Sequence, residues 1–560
     1  MPTIEANYED ILGLVGAHIP LDVLQTEGIL YAKSEIDQID GEMLKIDVKD
    51  TNRPDLWSAE GIARELAGRY AGKTGLPRYD VRKSGVVVKV DPKLRGIRPY
   101  TVCAVVRGVR ITADVLSQLI QLQEKISETY GKKRQEVAIG AYDFNKIKPP
   151  ITFTAVKPDG IRFVPLEFEE AMTPAEILRK HPKGLEYAHL LKGMKEYPIF
   201  IDAAGEVLSM PPVINSDHTG KITTATKDVF IECSGFNFRF LIPALNVLVA
   251  ALADRGGSIE SVKVVYPEGA RDTPDMSPKK FQMEVAEARR ISGLDLTPKR
   301  MCELLEQARY GTRLQGDRIE VHYPAYRQDI MHQRDVIEDM IISYGYNKIE
   351  PASPRLPTTG ASSPMWKLMD SAAEAMTGMG FLEVLSYILT NKNDLFARMN
   401  AGEQKVVEIE NFVSSNWCVF RNSVLPSLMD FLSKNKHREY PQKVFEAGDT
   451  VAVDMSKETR TSDVPKMAAA ICGGSAGYEG IAGVLDSLLS SLGLEYSLEK
   501  AENPSFIAGR TALVKAGQVA LGTVGEVHPA VLEAWGLEKP VAAFELDMEK
   551  IESAITDRYK

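Results

Sequence analysis

Short runs of β-branched and aromatic residues bounded by turn formers mark strands along this 560-residue chain: GVVVKV at 85–90, YTVCAVVRGV at 100–109, EVAIGAYDF at 136–144 and DVFIECSG at 228–235. From Asp114 to Tyr130 the apolar positions return at helical spacing instead, giving one amphipathic helix among the strands. Strands interrupted by helix predict an α+β domain over 91–270. Upstream, in a mixed α/β segment over 1–90, the alternating LKIDVKD runs into a turn at Asn52 to Asp55 and then a helix. Ser58 is its expected N-cap, Ile62, Ala63, Leu66 and Tyr70 its apolar stripe, and Gly68 or Gly72 its end.

The pattern over 271–350 alternates helix, hairpin and helix, a small domain of winged, DNA-binding-like character. PASPRLPTTGASS at 351–363 is a proline-rich linker. Beyond it, 364–560 begins with a helix (WKLMDSAAEAMTGMGF), continues through the strands LEVLSYILT and KVVEIEN and a further helix, then adds KVFEAGDTVAV, MAAAICGG and ALVKAGQVALGTVGEV. That order predicts a mostly antiparallel sheet with flanking helices, in an α+β multidomain chain without internal repeats.

Composition narrows the class: 44% hydrophobic and 26% charged residues are those of folded domains, which excludes disordered and fibrous readings. The 67 basic and 77 acidic residues leave a net −10, against a basic coat for nucleic acid and with no expectation of DNA as partner. A local patch remains open, with KKR at 132–134 and Lys146 and Lys148 beyond it as the candidate. Five scattered cysteines without a CxxC pair argue against a disulfide framework or structural zinc. The acidic amino-terminal stretch and the lack of a ~20-residue apolar run point to a cytoplasmic protein without membrane contact.

Five constellations carry chemistry. AGKTG at 71–75 contains GKT but follows a helix rather than a strand, so it reads as a helix exit and not a phosphate loop. GGSAG at 473–477 matches GxSxG between a strand and a helix, and Ser475, Asp486 and His528 stand in hydrolase order, which makes a serine esterase a competing reading. In YRQDIMHQRDVIEDMIISYGY, Val336, Ile337, Met340, Ile341 and Tyr344 form an apolar stripe, with Asp335, Glu338 and Asp339 on the opposite face. Those like charges need compensation, and with Asp329 they could hold a hard divalent cation or be merely solvated. In DVFIECSG, period two places Glu232 and Ser234 on one face of an otherwise apolar strand, either half open to water or at the bottom of a pocket. PPVINSDHTG is a proline-stiffened turn carrying Asn215 and His218, the latter beside Asp217 as an acid-base candidate.

Six stretches in order together resemble one family: NRPDLWSAEGIARELAG, KKRQEVAIGAYDFNKIKPP, VLSMPPVINSDHTGKIT, PAYRQDIMHQRDVIEDMIISYGYNKIEP, FRNSVLPSLMDFLSKN and GEVHPAVLEAWGLEKPVAAFELD. They are similar to the beta chain of phenylalanyl-tRNA synthetases of the archaeal and eukaryotic cytosolic type. The resemblance implies an α2β2 ligase that charges tRNA(Phe) with phenylalanine using ATP, the synthetic site lying on the alpha subunit. It implies that 364–560 is a catalytically silent copy of the class II synthetase fold, since GLEKP lacks the phosphate-binding arginine and FRNSV lacks the FRxE pattern. It implies Mg²⁺ at Asp329, Asp335, Glu338 and Asp339, and an editing domain over 91–270 that hydrolyses tyrosine wrongly esterified to tRNA(Phe). Glu232 would there accept the phenolic hydroxyl, with Ser209 and Ser234 shaping the pocket and Asn215 and His218 as neighbours. A free-standing deacylase or tRNA-binding module is the alternative within the same chemistry.

Overall fold

The computed structural model describes residues 2–558, which divide into two compact units between Ala352 and Ser353. In the first unit, Thr3–Asn7, Met43–Val48 and Ser34–Asp40 form a three-stranded antiparallel sheet with Met43–Val48 in the middle. The helix Ala59–Tyr70 starts where its cap predicts, the Ser58 hydroxyl accepting from the Gly61 N–H at 3.3 Å. Gly72 follows its end at φ +63°, so AGKTG is a helix exit.

The strand-rich region that follows is a ten-stranded mixed sheet. Its path runs Ile214–Asn215, Val207–Met210, Tyr197–Ile201, Ile151–Val156, Val81–Val90, Ser258–Tyr266, Tyr100–Arg107, Val229–Gly235, Val137–Asp143, with Gly269–Thr273 branching from Ser258–Tyr266. Because Val81–Val90 pairs into it, the sheet begins before residue 91. Val229–Gly235 lies antiparallel between Tyr100–Arg107 and Val137–Asp143, which sets Glu232 opposite Cys103 on one side and Gly140 on the other. Val229, Ile231 and Cys233 join the core beneath the helices Ala113–Lys125 and Phe238–Asp254, while Phe230 joins the opposite core with Cys103, Val105 and Tyr142. A strand covered on both sides has no half-open face. Glu232 and Ser234 are accordingly 2% and 0% exposed.

Residues 279–323 add a three-stranded antiparallel sheet, Lys279–Glu284, Arg318–Tyr323 and Gly311–Gln315, packed by Val285–Ser292, Pro298–Gln307 and Gln333–Tyr344. In the last helix Val336, Ile337, Met340 and Ile341 are buried as their spacing predicts, but Asp339 is buried with them. The expected acidic outer face is therefore reduced by one residue, for reasons given by its partners below.

The second unit holds a seven-stranded sheet. Every pairing in it is antiparallel except that of Leu382–Glu383 with Gln442–Val453. Along Thr461–Cys472, Met467 and Ala469 pack beneath the helices Pro364–Gly378 and Tyr478–Ser491, and Ala468, Ala470 and Cys472 beneath Leu425–Lys434, as period two requires. The run LEVLSYILT shrinks to the two-residue pairings Leu382–Glu383 and Leu389–Thr390, and KVVEIEN to one bridge between Glu408 and Val419. Between those short pairings Leu385 and Tyr387 stand exposed. Among the described residues no helix is long and apolar enough to cross a membrane.

Candidate functional site

Glu232 and Ser209, on strands far apart in the sequence, meet at the floor of a cavity of about 370 Å³ in the first unit. Its walls include Leu119, Ile139 and Ile222, and Arg134, Asn215 and Lys221 also line it. That volume lies within the range of small-ligand pockets, and apolar walls with a few convergent polar groups are their usual composition.

The floor is organised from beneath by Tyr142, which is fully buried. Its phenol reaches Ser209 Oγ at 2.7 Å and Glu232 Oε1 at 3.2 Å. The approach depends on Gly140, two residues earlier on the same strand face, where a Cβ would lie 2.0 Å from the Tyr142 oxygen. Glu232 Oε2 is buried and has no hydrogen-bond partner. Burial pushes the Glu232 carboxyl up to about 8, against the opposing pulls of Arg98 and of the Tyr142 and Ser234 hydroxyls. Burial and Glu232 likewise hold the Tyr142 phenol well above its ordinary value, so it stays protonated.

Ser234 lies outside the cavity lining: its hydroxyl accepts from Arg98 Nε at 3.1 Å. Arg98, itself 3% exposed, also donates to the carbonyls of Arg134 and Gln135, tying the strand to the KKR turn. Lys132, Lys133 and Arg134 have φ of 50°, 53° and 64°, three consecutive left-handed residues without a glycine. Arg134 donates to the carbonyls of Pro212 and Val213, and its guanidinium lies 4.1 Å from the Tyr187 ring centroid. Asn215 lines the cavity, but His218 is exposed and outside it, because the short helix Asp217–Gly220 turns it to solvent. The structure thus brings Ser209, Asn215 and Glu232 to the cavity lining and leaves His218 outside it, while Ser234 stands beside Glu232 beneath that lining. Tyr142 and Arg98 complete the site beside Arg134 of the KKR run; for Tyr142 the one local signal is Gly140, a glycine inside its strand.

The acidic residues of 329–339 are arranged differently from a metal cage. Arg327 grips Asp329 with two hydrogen bonds of 2.7 and 2.6 Å, and its Nη2 also donates to Asp339 Oδ2 at 2.7 Å. The same Asp339 oxygen accepts from Tyr310 at 2.6 Å, while Oδ1 lies 3.4 Å from Lys33 Nζ. Asp335 closes the helix start by accepting from the N–H groups of Met331 and His332 at 2.8 and 2.7 Å. Glu338, half exposed, lies 3.6 Å from Lys33 Nζ, which also pairs with Asp50 at 2.8 Å. Burial would raise Asp329 and Asp339, but Arg327 and its neighbouring cations hold both below the ordinary carboxylate value. Among the described residues no three His, Cys, Asp or Glu side chains are grouped to hold a metal ion. The four predicted positions, so arranged, do not fit a magnesium ion held by this chain: its place in the charge balance is taken by Lys33, by Arg327 and by Arg53, whose Nε lies 3.9 Å from Asp329 Oδ1.

In the second unit GGSAG does join a strand to a helix, yet its partners are engaged elsewhere. Asp486 accepts from Tyr496 Oη at 3.0 Å, and His528 Nδ1 accepts the Ala530 N–H at 3.1 Å as a helix cap. Among the described residues no hydrogen bond joins Ser475, Asp486 and His528, so the esterase triad is not assembled. Arg421 of FRNSV is 2% exposed and turned inward, pairing with Glu446 at 2.8 Å and donating to Ser386 Oγ at 2.8 Å.

Three described domains match the chain: the B3/4 domain over residues 107–241, the tRNA synthetase B5 domain over 281–346, and the Phenylalanyl tRNA synthetase beta chain CLM domain over 349–548. The cavity lies in the first, the ion-pair network reaches into the second, and together they define an aminoacyl-tRNA synthetase chain. The Phenylalanine–tRNA ligase beta subunit of Pyrococcus abyssi is 47% identical over 550 residues, covering 98% of this chain and 99% of its own. That of Methanothrix thermoacetophila is 38% identical, covering 98% of this chain and 100% of its own. A crystal structure of an N-terminal fragment of the phenylalanyl-tRNA synthetase beta subunit from Pyrococcus horikoshii, 49% identical, superposes with a TM-score of 0.60 over 62% of this chain and all of that one. The chain belongs to the phenylalanine–tRNA ligase beta subunit family, and is a subunit of an aminoacyl-tRNA synthetase of protein biosynthesis.

Proposed function

We infer that this chain, beside its place in the ligase, carries the hydrolytic editing pocket that removes tyrosine wrongly esterified to tRNA(Phe). The observation that carries the reading is the buried Glu232 carboxyl lining an apolar-walled cavity, with one of its oxygens, Oε2, lacking a hydrogen-bond partner. Phenylalanine would leave that buried oxygen unpaired, at a cost of about 1–3 kcal/mol, whereas the tyrosine hydroxyl satisfies it. Ser209 shares the floor, the aromatic ring lies along the apolar walls, and the ester is carried near Asn215 and Arg134. The KKR turn supplies cations for the phosphates of the tRNA end.

The synthetic reaction, joining phenylalanine to tRNA(Phe) with ATP and Mg²⁺, is assigned to an alpha subunit in an α2β2 assembly in the cytoplasm. The second unit then serves as a silent class II-like domain for assembly. Supporting this, Arg421 is engaged by Glu446 and faces away from solvent. The alpha subunit and tRNA are the partners this reading requires, and the relatives' description as beta subunits favours it over a free-standing module.

The test is deacylation of tyrosyl-tRNA(Phe) by the chain co-purified with its alpha subunit, beside Glu232→Ala. Loss of tyrosyl-ester hydrolysis with phenylalanine-dependent pyrophosphate exchange intact is the expected result. Undiminished hydrolysis in the variant overturns the pocket assignment.

A further inference from the structure

The protein already contains the contact that the pocket is inferred to offer its substrate. Tyr142 presents a phenol to Glu232 Oε1 at 3.2 Å, so the carboxyl receives a phenolic oxygen in this fold. The same phenol lies 2.7 Å from Ser209 Oγ, and Tyr142 reaches both groups from outside the cavity lining. Two of the three polar oxygens at the floor are thus engaged from below, and one, Oε2, is left over.

Resting on the editing reading, we propose that Tyr142 is the specificity-setting positioning residue of this pocket: by holding Ser209 Oγ and Glu232 Oε1 from beneath, it keeps one carboxyl oxygen free for a phenolic substrate. Without that tie, Ser209 and the carboxyl can turn onto each other or onto water, and an unpaired oxygen no longer penalises a plain phenyl ring. The tie also directs protons. A phenol donating to Oε1 disfavours a proton on that oxygen, so the acid proton of the neutral carboxyl sits on Oε2. The free group is then a hydroxyl able to donate or accept, and the substrate phenol pairs with it either way. Gly140 belongs to the same device, since a Cβ there would push the Tyr142 oxygen from its place. Phe230, whose ring centroid lies 5.8 Å from that of Tyr142, steadies the ring from the side.

The experiment compares Tyr142→Phe with the unaltered chain, each co-purified with its alpha subunit, on tyrosyl-tRNA(Phe) and phenylalanyl-tRNA(Phe), measuring kcat and KM for hydrolysis. The expected result is a fall of about tenfold or more in the tyrosyl-over-phenylalanyl ratio of kcat/KM. It should arise from a higher KM for the tyrosyl ester, with the phenylalanyl ester unaffected or cleaved faster. A ratio within twofold of the unaltered chain overturns the proposal while leaving editing itself standing, and an equal loss on both esters overturns it by reducing Tyr142 to a structural part. If the unaltered chain hydrolyses neither ester, the editing reading fails and takes this one with it. Should Tyr142→Phe not fold, Gly140→Ala, which keeps the phenol but displaces it, is judged by the same ratio.

Discussion

Glu232 is kept in place at a cost to stability that pH can expose. Its carboxyl titrates at about 8 in the folded chain against 4.5 when free, so between those values the folded state holds a proton the unfolded state has lost. That contribution to stability is complete below the lower value and disappears as pH rises through the upper one. Glu232→Gln, which cannot ionise, is expected to match the unaltered chain at pH 5 and to exceed it at pH 9 by on the order of 3 kcal/mol, read by denaturant unfolding. Asp339 poses the opposite case, a charge that burial tolerates only because Arg327 and Lys33 face it. Asp339→Asn should cost about 3–5 kcal/mol, because it strands buried cations, whereas half-exposed Glu338→Gln should cost less than about 0.5 kcal/mol. Equal losses from the two would favour a shared metal ion over the ion pairs.

Among elements, the turn at Lys132 to Arg134 holds three successive left-handed L-residues, each costing about 1–2 kcal/mol. Lys133→Gly is expected to raise the melting temperature by relieving one such residue, yet to slow tyrosyl-tRNA(Phe) hydrolysis by removing a cation. Lys133→Met should slow hydrolysis without the gain, and calorimetry beside a deacylation assay separates the two effects. Elements with a clear period are legible in the sequence alone: Ser58 caps its helix, and DVFIECSG is a strand with Glu232 and Phe230 on one face. LEVLSYILT is not, because whether an apolar run becomes a strand depends on a neighbour that local pattern does not encode. The same holds for the site. Glu232 can be picked out from its own strand and Ser209 only through the family resemblance, but Tyr142 reaches partners 67 and 90 positions away and Arg98 one 136 away. His218 stands exposed outside the cavity, an orientation that a polar turn does not convey.

For the whole molecule, the first unit depends on charge pairing where the sequence suggests a bound ion. Exchange into EDTA is therefore expected to leave its denaturation midpoint unchanged in this chain. An ion bound at about a hundredfold its Kd would instead contribute about 2.7 kcal/mol, a difference that thermal unfolding resolves readily. The boundary between the two units falls inside the proline-rich stretch at 351–363, where few apolar residues recur. What sequence pattern does not convey is that residues 1–90 and 271–350 share one buried network.

That network limits how this chain can be recombined with its relatives. Lys33 and Arg53 come from one segment, while Arg327, Asp329 and Asp339 come from another nearly three hundred positions on. A chimera that imports 271–350 from another beta subunit inherits half of a charge balance whose other half stays behind. Exchange should succeed only when both segments travel together, or when the donor carries the same signs at the same places.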